Sequence, residues 1–369
     1  MTVNMVDIRS RAMIWGTEAC DAARAHAGLS LLVLVYVLIA FAVAGAFSNA
    51  SHISVWLYGS LFKTSIGAMG LLFLAARAVY IMVIVHPERL TKAIMEDIFS
   101  NSLARRRLFD AIPIFCLLSV FNSTFTSLKV MIPTIHPYDW DTTLMTWDRA
   151  LHFGVAPWAL IQPVFGYPVI TSMLNVMYNL WFFVLIGCVI WQAFADRDQR
   201  LRTQFFATYI LCFAVLGNFA ATWLASGGPC YYGLLVAGPD PYGPLMSYLH
   251  HASQQAPFVW VVATQDMLWK TYMTDSLNVG GGITAMPSMH LAGVTLFALL
   301  GWRTSTRLGI ALTAYAMVIM IGSVHLGWHY AIDGYFGILG TLAIWWVVGA
   351  VLNRSKSLLP PTVAQARRD

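Results

Sequence analysis

Charged residues are scarce in this sequence. Asp, Glu, Lys and Arg make up 11% of its 369 residues, whereas hydrophobic residues make up 58%. A soluble globular domain carries about 25% charged residues, so this composition excludes that class and indicates a polytopic membrane protein. Cysteine is also rare. The five cysteines include no C-x-x-C pair, and we therefore expect neither a disulfide framework nor a zinc site.

The sequence also lacks a basic face, despite a formal net charge of +5. Its Lys and Arg residues fall in short segments between apolar runs instead of clustering on one helix or in one tract. This distribution is typical of membrane topology, and we expect no nucleic-acid partner.

Apolar runs long enough to cross a bilayer, which takes about 20 helical residues, occur at eight places. They cover residues 28–48, 65–86, 109–130, 168–194, 204–226, 283–302, 307–325 and 329–352. With eight spans, 17 of the 22 Lys and Arg residues fall on one side. The opposite side holds Lys63, Lys129, Arg149 and Lys270, and Arg77 lies inside the second span. The positive-inside rule therefore predicts an all-α integral membrane protein with both termini in the cytoplasm.

Two connections on the non-cytoplasmic side are long. Residues 131–167 mix tryptophans, acids and prolines, a composition that suits a helix lying at the membrane interface. Residues 227–282 are rich in aromatic residues, so we expect this connection to be ordered and functional.

The stretch ITAMPSMHLAGVTLF, residues 283–297, begins the sixth span with polar residues. Pro287 is acceptable in the first turn of a helix, because the missing N–H would have no intrahelical partner there. Ser288 and His290 lie beside the free N–H groups of that turn. A helix start of this kind predicts an anion-binding site.

A second polar stretch, GSVHLGWHYAIDGYFG, covers residues 322–337. His329 and Asp333 are four residues apart and share a helix face, and an acid inside a membrane helix is costly unless it has a partner. The sixth and eighth spans both start on the outside, so His290 and His329 should meet at the extracytoplasmic face. His325, His329 and Asp333 also form a spacing that could bind a metal, which remains an alternative.

These stretches resemble two motifs of the type 2 phosphatidic acid phosphatase superfamily, P-S-G-H and S-R-x-x-x-G-x-H-x-x-x-D. The matching residues are Pro287, Ser288 and His290 in the first and Gly327, His329 and Asp333 in the second. The resemblance implies that His329 attacks phosphorus, that Asp333 orients His329 and that His290 protonates the leaving oxygen. We place Ser288 and Gly327 in the substrate-binding part of the site. Two imidazoles can supply this chemistry, so we expect no metal and no other cofactor.

The sequence departs from the superfamily pattern at three points. Met289 replaces a motif glycine, Gly322-Ser323 replaces Ser-Arg, and no Arg-Pro dipeptide exists to match the motif K-x-x-x-x-x-x-R-P. This loss of cations, together with PSMH and HYAID, resembles the branch of inositol phosphorylceramide synthases. Phosphoryl transfer still needs positive charge or N–H donors around the phosphate. The candidates on the same side are Lys129, Arg149, Lys270 and the glycines 280–282.

The sequence thus predicts a membrane enzyme that moves a phosphoryl-containing head group from a lipid to an alcohol or lipid acceptor through a phosphohistidine. The alternative is a lipid phosphate or lipid pyrophosphate phosphatase, with water as acceptor. A proton-coupled transporter fits less well, because no internal repeat occurs and the polar residues cluster at one face. We expect an extension with two extra spans at 1–108, a six-span catalytic core at 109–352 and a flexible cytoplasmic tail at 353–369.

Overall fold

The computed structural model describes residues 15–18, 20–47, 52–87, 89, 93, 102–195 and 198–357. Within these ranges all regular structure is helical, which confirms the predicted fold class. The main helices are α1 (Ala27–Ala46), α2 (Gly59–Tyr80), α3 (Ser102–Ile135), α4 (Asp141–Leu151), α5 (Pro157–Phe165), α6 (Pro168–Ala193), α7 (Gln199–Leu211), α8 (Tyr232–Leu235), α9 (Gly243–Gln255), α10 (Val261–Met273), α11 (Met289–Thr304), α12 (Thr306–His325) and α13 (Ala331–Ser357). The terminal residues 1–14 and 358–369, which include most of the predicted flexible tail, lie outside the described residues.

Six helical segments of the described chain are long and apolar enough to cross a membrane. They are Ala27–Ala46, Arg107–Ile135, Pro168–Ala193, Gln199–Trp223, Thr306–His325 and Ala331–Arg354. The fourth of these joins α7 to a π-helical segment, Cys212–Ala220, and a final turn, Ala221–Trp223. Helices also occupy the other two predicted spans, α2 with its π-helical extension Ile81–Val85 and α11. The protein is therefore an integral membrane protein.

Helix α11 lies at the centre of the bundle. It packs against α6, α7, α12 and α13, and nearly all of its residues between Leu291 and Gly301 are buried. It has 16 residues and its neighbour α12 has 20, a difference of about one turn. The predicted span 283–302 began too early, since the helix starts only at Met289. Residues 283–288 are apolar enough to extend a hydropathy run, but they form a non-helical segment that leads into the site.

Local sequence signals decide where the helices around the site begin. The hydroxyl of Ser305 accepts a hydrogen bond from the N–H of Leu308 and caps α12. Pro168 occupies the first turn of α6, where a proline costs no intrahelical hydrogen bond. Pro168 therefore fixes the start of α6, and Ser305 fixes the start of α12 next to the end of α11.

The two long connections are ordered and helical. Residues 131–167 contain α4 and α5, and residues 227–282 contain a short 3-10 turn and the helices α8, α9 and α10. We call these two segments the cap. The backbone N–H of Cys230 donates to the carbonyl of Gly327 at 2.9 Å, and Gln265 Nε2 donates to the carbonyl of Leu326 at 3.0 Å. The cap is therefore attached directly to the turn that carries His329.

Candidate active site

The start of α11 is held by Ser288. Its hydroxyl accepts a hydrogen bond from the N–H of Leu291 at 3.4 Å, which makes it the N-cap of the helix. Its own backbone N–H donates to the carbonyl of Asp333 at 3.0 Å. Ser288 is fully buried, so this predicted substrate-binding residue serves first to join α11 to α13.

His329 lies in the turn between α12 and α13, and its ring is fixed through Nδ1. That nitrogen lies 2.9 Å from the carbonyl oxygen of Ala285 and 3.4 Å from Oδ2 of Asp333. A proton on Nδ1 can be donated to both oxygens, and the carbonyl is the nearer acceptor. Nδ1 is thereby occupied, which leaves Nε2 as the ring nitrogen available to a substrate.

Asp333 is completely buried on the first turn of α13. Its Oδ2 accepts the backbone N–H of Tyr330 at 3.0 Å and also faces Nδ1 of His329. Oδ1 has no partner among the described residues. The carboxylate therefore closes the turn Tyr330–Asp333 and holds the ring of His329 with the same oxygen.

The structure brings His290 and His329 together. Their ring centroids are 6.4 Å apart, although the two residues belong to different helical segments. The ring of His290 is stacked on that of Tyr178, with their centroids 4.3 Å apart, and its centroid lies 4.5 Å from that of Trp181. Trp181 also donates from Nε1 to the backbone carbonyl of His290 at 3.0 Å. The aromatic residues of α6 therefore set the orientation of His290.

Only one of the three predicted cations, Lys129, lies close to His290 within the described chain. Their charges are near enough to interact, and the stem of Lys129 packs beneath Gly282, where an added Cβ would lie 3.0 Å from its Cγ. Arg149 is exposed and donates from Nε to the carbonyl of Gly154. Lys270 is exposed on α10. The structure brings Lys129 near His290, whereas Arg149 and Lys270 are exposed.

The predicted glycines have structural roles. Gly327 adopts a φ of +72°, which favours glycine, and its carbonyl accepts the N–H of Cys230. It therefore forms the turn that presents His329. In the glycine run, the N–H of Gly280 donates to the hydroxyl of Tyr58 at 2.9 Å, so it serves the packing of the cap.

The sequence profile of the PAP2 superfamily matches residues 142–347. The chain belongs to the PAP2 superfamily. The match covers the helices that carry His290, His329 and Asp333, and it lies inside the predicted core 109–352. No curated protein and no solved structure matches the chain significantly. Members of this superfamily are phosphatases or phosphotransferases, which supports an enzyme.

Two acids of α4, Asp141 and Asp148, were not among the residues predicted from the sequence. Asp141 accepts hydrogen bonds at 2.8 Å from the N–H groups of Gly227 and Gly228 and from the hydroxyl of Tyr330. Asp148 accepts the N–H groups of Ala331 and Ile332 at 3.2 and 3.0 Å, and so caps α13. The signal was their spacing of seven residues, which puts both carboxylates on one face of α4.

Both of these carboxylates are almost inaccessible to solvent. Burial raises the pKa of Asp141, and the hydrogen bonds from Gly227, Tyr330 and Gly228 oppose that shift. Burial also raises the pKa of Asp148, opposed by the N–H donors at the start of α13. The PAP2 site is thus supported by acids whose burial is compensated by donors from the cap and from α13.

The metal alternative rested on His325, His329 and Asp333. His325 is fully buried, and its Nε2 lies 2.8 Å from Oγ1 of Thr171 on α6. Its ring also packs edge-on against Tyr248. Among the described residues no group of three or more His, Cys, Asp or Glu side chains could hold a metal ion. His325 therefore belongs to the packing between α6, α9 and α12.

Proposed function

We propose that this PAP2 enzyme transfers a phosphoryl-containing head group from a phospholipid donor to a hydroxyl acceptor, a lipid or a polyol. The observation that carries the proposal is the facing pair His290 and His329, 6.4 Å apart, with Nδ1 of His329 already engaged. We place the transferring phosphoryl group between the two rings. The lipid donor fits an integral membrane protein, and the site would face the extracytoplasmic side.

In the first step Nε2 of His329 attacks phosphorus and forms an N–P bond. The P–O bond to the leaving group breaks, and the leaving oxygen takes a proton from the His290 imidazolium. The charge that develops on the His329 ring is stabilised by Asp333 and by the carbonyl of Ala285, both at Nδ1. Lys129 supplies positive charge beside the phosphate.

In the second step the acceptor hydroxyl gives its proton to His290, and its oxygen attacks phosphorus. The N–P bond breaks and His329 is released, so that both imidazoles return to their starting states. With water as acceptor the same steps describe a phosphatase, which is the second candidate. The two reactions differ only in whether an acceptor hydroxyl or water attacks the phosphohistidine.

The cap favours transfer over hydrolysis. Its helices are packed against the turn that carries His329, which we call the catalytic turn. The ring centroids of Tyr242, in the cap, and Tyr330 are 5.7 Å apart. An ordered cap excludes water from a reactive intermediate and can hold a second substrate. A cleft of about 320 Å³ also lies beside Lys129, and its lining includes Tyr138, Tyr272 and Gly282. We place the acceptor in this cleft.

The test is a partition experiment with purified enzyme in detergent or vesicles. A phospholipid donor with a radiolabelled head-group phosphate is offered with a lipid or polyol acceptor, and the label is followed into acceptor and into water-soluble phosphate. We expect transfer to exceed release, and we expect acid-labile labelled protein when the acceptor is withheld. Release at a rate indifferent to every acceptor would favour the phosphatase.

The matched variants are His329→Ala and His250→Ala. His250 is an exposed histidine on α9 whose Nδ1 lies 2.8 Å from the carbonyl of Met246, in its own helix. His329→Ala should abolish both turnover and labelling of the protein, while His250→Ala should keep both. An active His329→Ala enzyme would exclude the phosphohistidine mechanism altogether.

A further inference from the structure

Besides Oδ1 of Asp333, the PAP2 site contains three buried polar atoms that have no partner within the described residues. They are the hydroxyl oxygen of Tyr178, Oγ of Ser323 and Nε2 of His290. They come from α6, α12 and α11 respectively. A buried polar group without a hydrogen bond is destabilising, so three of them around one site point to a ligand that satisfies them.

Ser323 stands at the position where the resembling motif S-R-x-x-x-G-x-H-x-x-x-D carries its arginine. It is 1% exposed, and its backbone carbonyl accepts the N–H groups of Trp328 and His329. The residue is therefore attached through its backbone to the turn that carries His329, while its hydroxyl has no hydrogen-bond partner among the described residues. A serine side chain is too short to replace an arginine in binding the phosphate, so a second group is needed for that purpose.

Tyr178 is that second group. It is 5% exposed, and its ring stacks on His290 with an interplanar angle of 20°. Its hydroxyl lies beside the side chain of Ser323, but neither oxygen has a partner at full hydrogen-bonding geometry in the described chain. The ring is also close to Gly322, where an added Cβ would lie 3.4 Å from Cδ2 of Tyr178.

We propose that the hydroxyls of Tyr178 and Ser323 bind the non-bridging oxygens of the transferring phosphoryl group in place of the missing arginine. The inference rests on the proposed function and adds two residues that touch the substrate. Each hydroxyl donates one hydrogen bond to an anionic oxygen, and such charge-assisted bonds are stronger than neutral ones. Lys129 provides the net positive charge that two neutral hydroxyls lack.

The experiment compares Tyr178→Phe with Tyr315→Phe, and adds Ser323→Ala. Tyr315 is a matched control, because its hydroxyl already has a protein partner, the carbonyl of Met177 at 2.9 Å. The probe is orthovanadate, which resembles phosphorus in its five-coordinate transition state. Its inhibition constant and kcat are measured, together with the thermal unfolding temperature in detergent.

Tyr178→Phe should weaken vanadate inhibition by about 10- to 100-fold, the usual worth of a hydrogen bond to a charged group, and should lower kcat by a similar factor. Its unfolding temperature should stay unchanged or rise, since the described residues offer the lost hydroxyl no hydrogen-bond partner. Tyr315→Phe should lose some stability and keep its vanadate affinity. Ser323→Ala should follow Tyr178→Phe.

Wild-type vanadate affinity in both Tyr178→Phe and Ser323→Ala would overturn the inference. So would a Tyr178→Phe protein that loses stability and activity together, because that pattern describes a structural hydroxyl. Neither result would touch the proposed function, whose own test is the inactivity of His329→Ala.

Discussion

Asp141→Asn is expected to loosen the attachment of the cap to the catalytic turn. The carboxylate accepts three hydrogen bonds, from Gly227, Gly228 and the hydroxyl of Tyr330, each at 2.8 Å. An asparagine keeps one oxygen and presents an NH₂ group to the remaining donors. At least one buried donor then loses its acceptor, because an amide NH₂ cannot accept a hydrogen bond.

The magnitude follows from the donors left unpaired. Each buried donor without a partner costs about 1–3 kcal/mol, and one or two are affected. Part of this cost is offset, since burial raises the pKa of Asp141 and a neutral amide avoids the desolvation of a buried charge. The net loss should be about 1–3 kcal/mol, or roughly 1–4 °C in unfolding temperature for a chain of 369 residues.

The assay is thermal unfolding in detergent together with kcat for the lipid donor. Asp139→Asn is the matched control, because its side chain is 57% exposed and its Oδ1 lies 3.6 Å from Nδ1 of His136. The Asp141→Asn enzyme should also lose kcat, since Tyr330 adjoins His329. An Asp141→Asn protein as stable and active as Asp139→Asn would refute the idea that this carboxylate joins the cap to the site.

Three further outcomes are expected. Gly228→Ala should be inactive or poorly folded, and Gly238→Ala should have a smaller effect. Both glycines have a positive φ. Of the two, only Gly228 has a neighbour that an added Cβ would meet, the carbonyl oxygen of Trp328 at 2.7 Å. The unfolding temperature and activity of the two variants are compared, because both share the backbone strain and only Gly228→Ala adds the steric clash. Lys129→Gln should lower kcat/KM for the donor at least tenfold, whereas Lys270→Gln should change it less than twofold; equal effects would contradict the placement of Lys129. Exhaustive chelation should leave activity intact, and loss of activity that zinc restores would revive the metal alternative.

Sequence periodicity and motif spacing were sufficient for much of the site. The polar stretch at Pro287 and Ser288 and the four-residue spacing of His329 and Asp333 are local features of the sequence. In the structure Ser288 caps α11, and His329 lies in the turn just before α13, whose first turn carries Asp333. The meeting of His290 and His329 followed from counting spans, because two helices that start on the same side bring their first turns to the same face. Topology alone therefore brought the catalytic candidates together.

The local sequence pattern could not show which of the three cations lies near the site. Lys129, Arg149 and Lys270 share one side of the predicted topology, and hydropathy treats them alike. Only the packing of residue 282 over the stem of Lys129, and the exposure of the other two, distinguishes them.

The sequence by itself determined the helical membrane class, the superfamily motifs and the two histidines, because each depends on composition or on residues a few positions apart. Tertiary structure alone decided the partners of these groups. Asp141 reaches Tyr330 across 189 positions and Trp181 reaches His290 across 109. The carbonyl of Ala285 lies nearer to His329 than Asp333 does. Such contacts are set by how the helices pack. A hydrogen bond requires two atoms to lie within about 3 Å of each other. The spacing of residues so far apart in the chain does not tell which of their atoms will come that close.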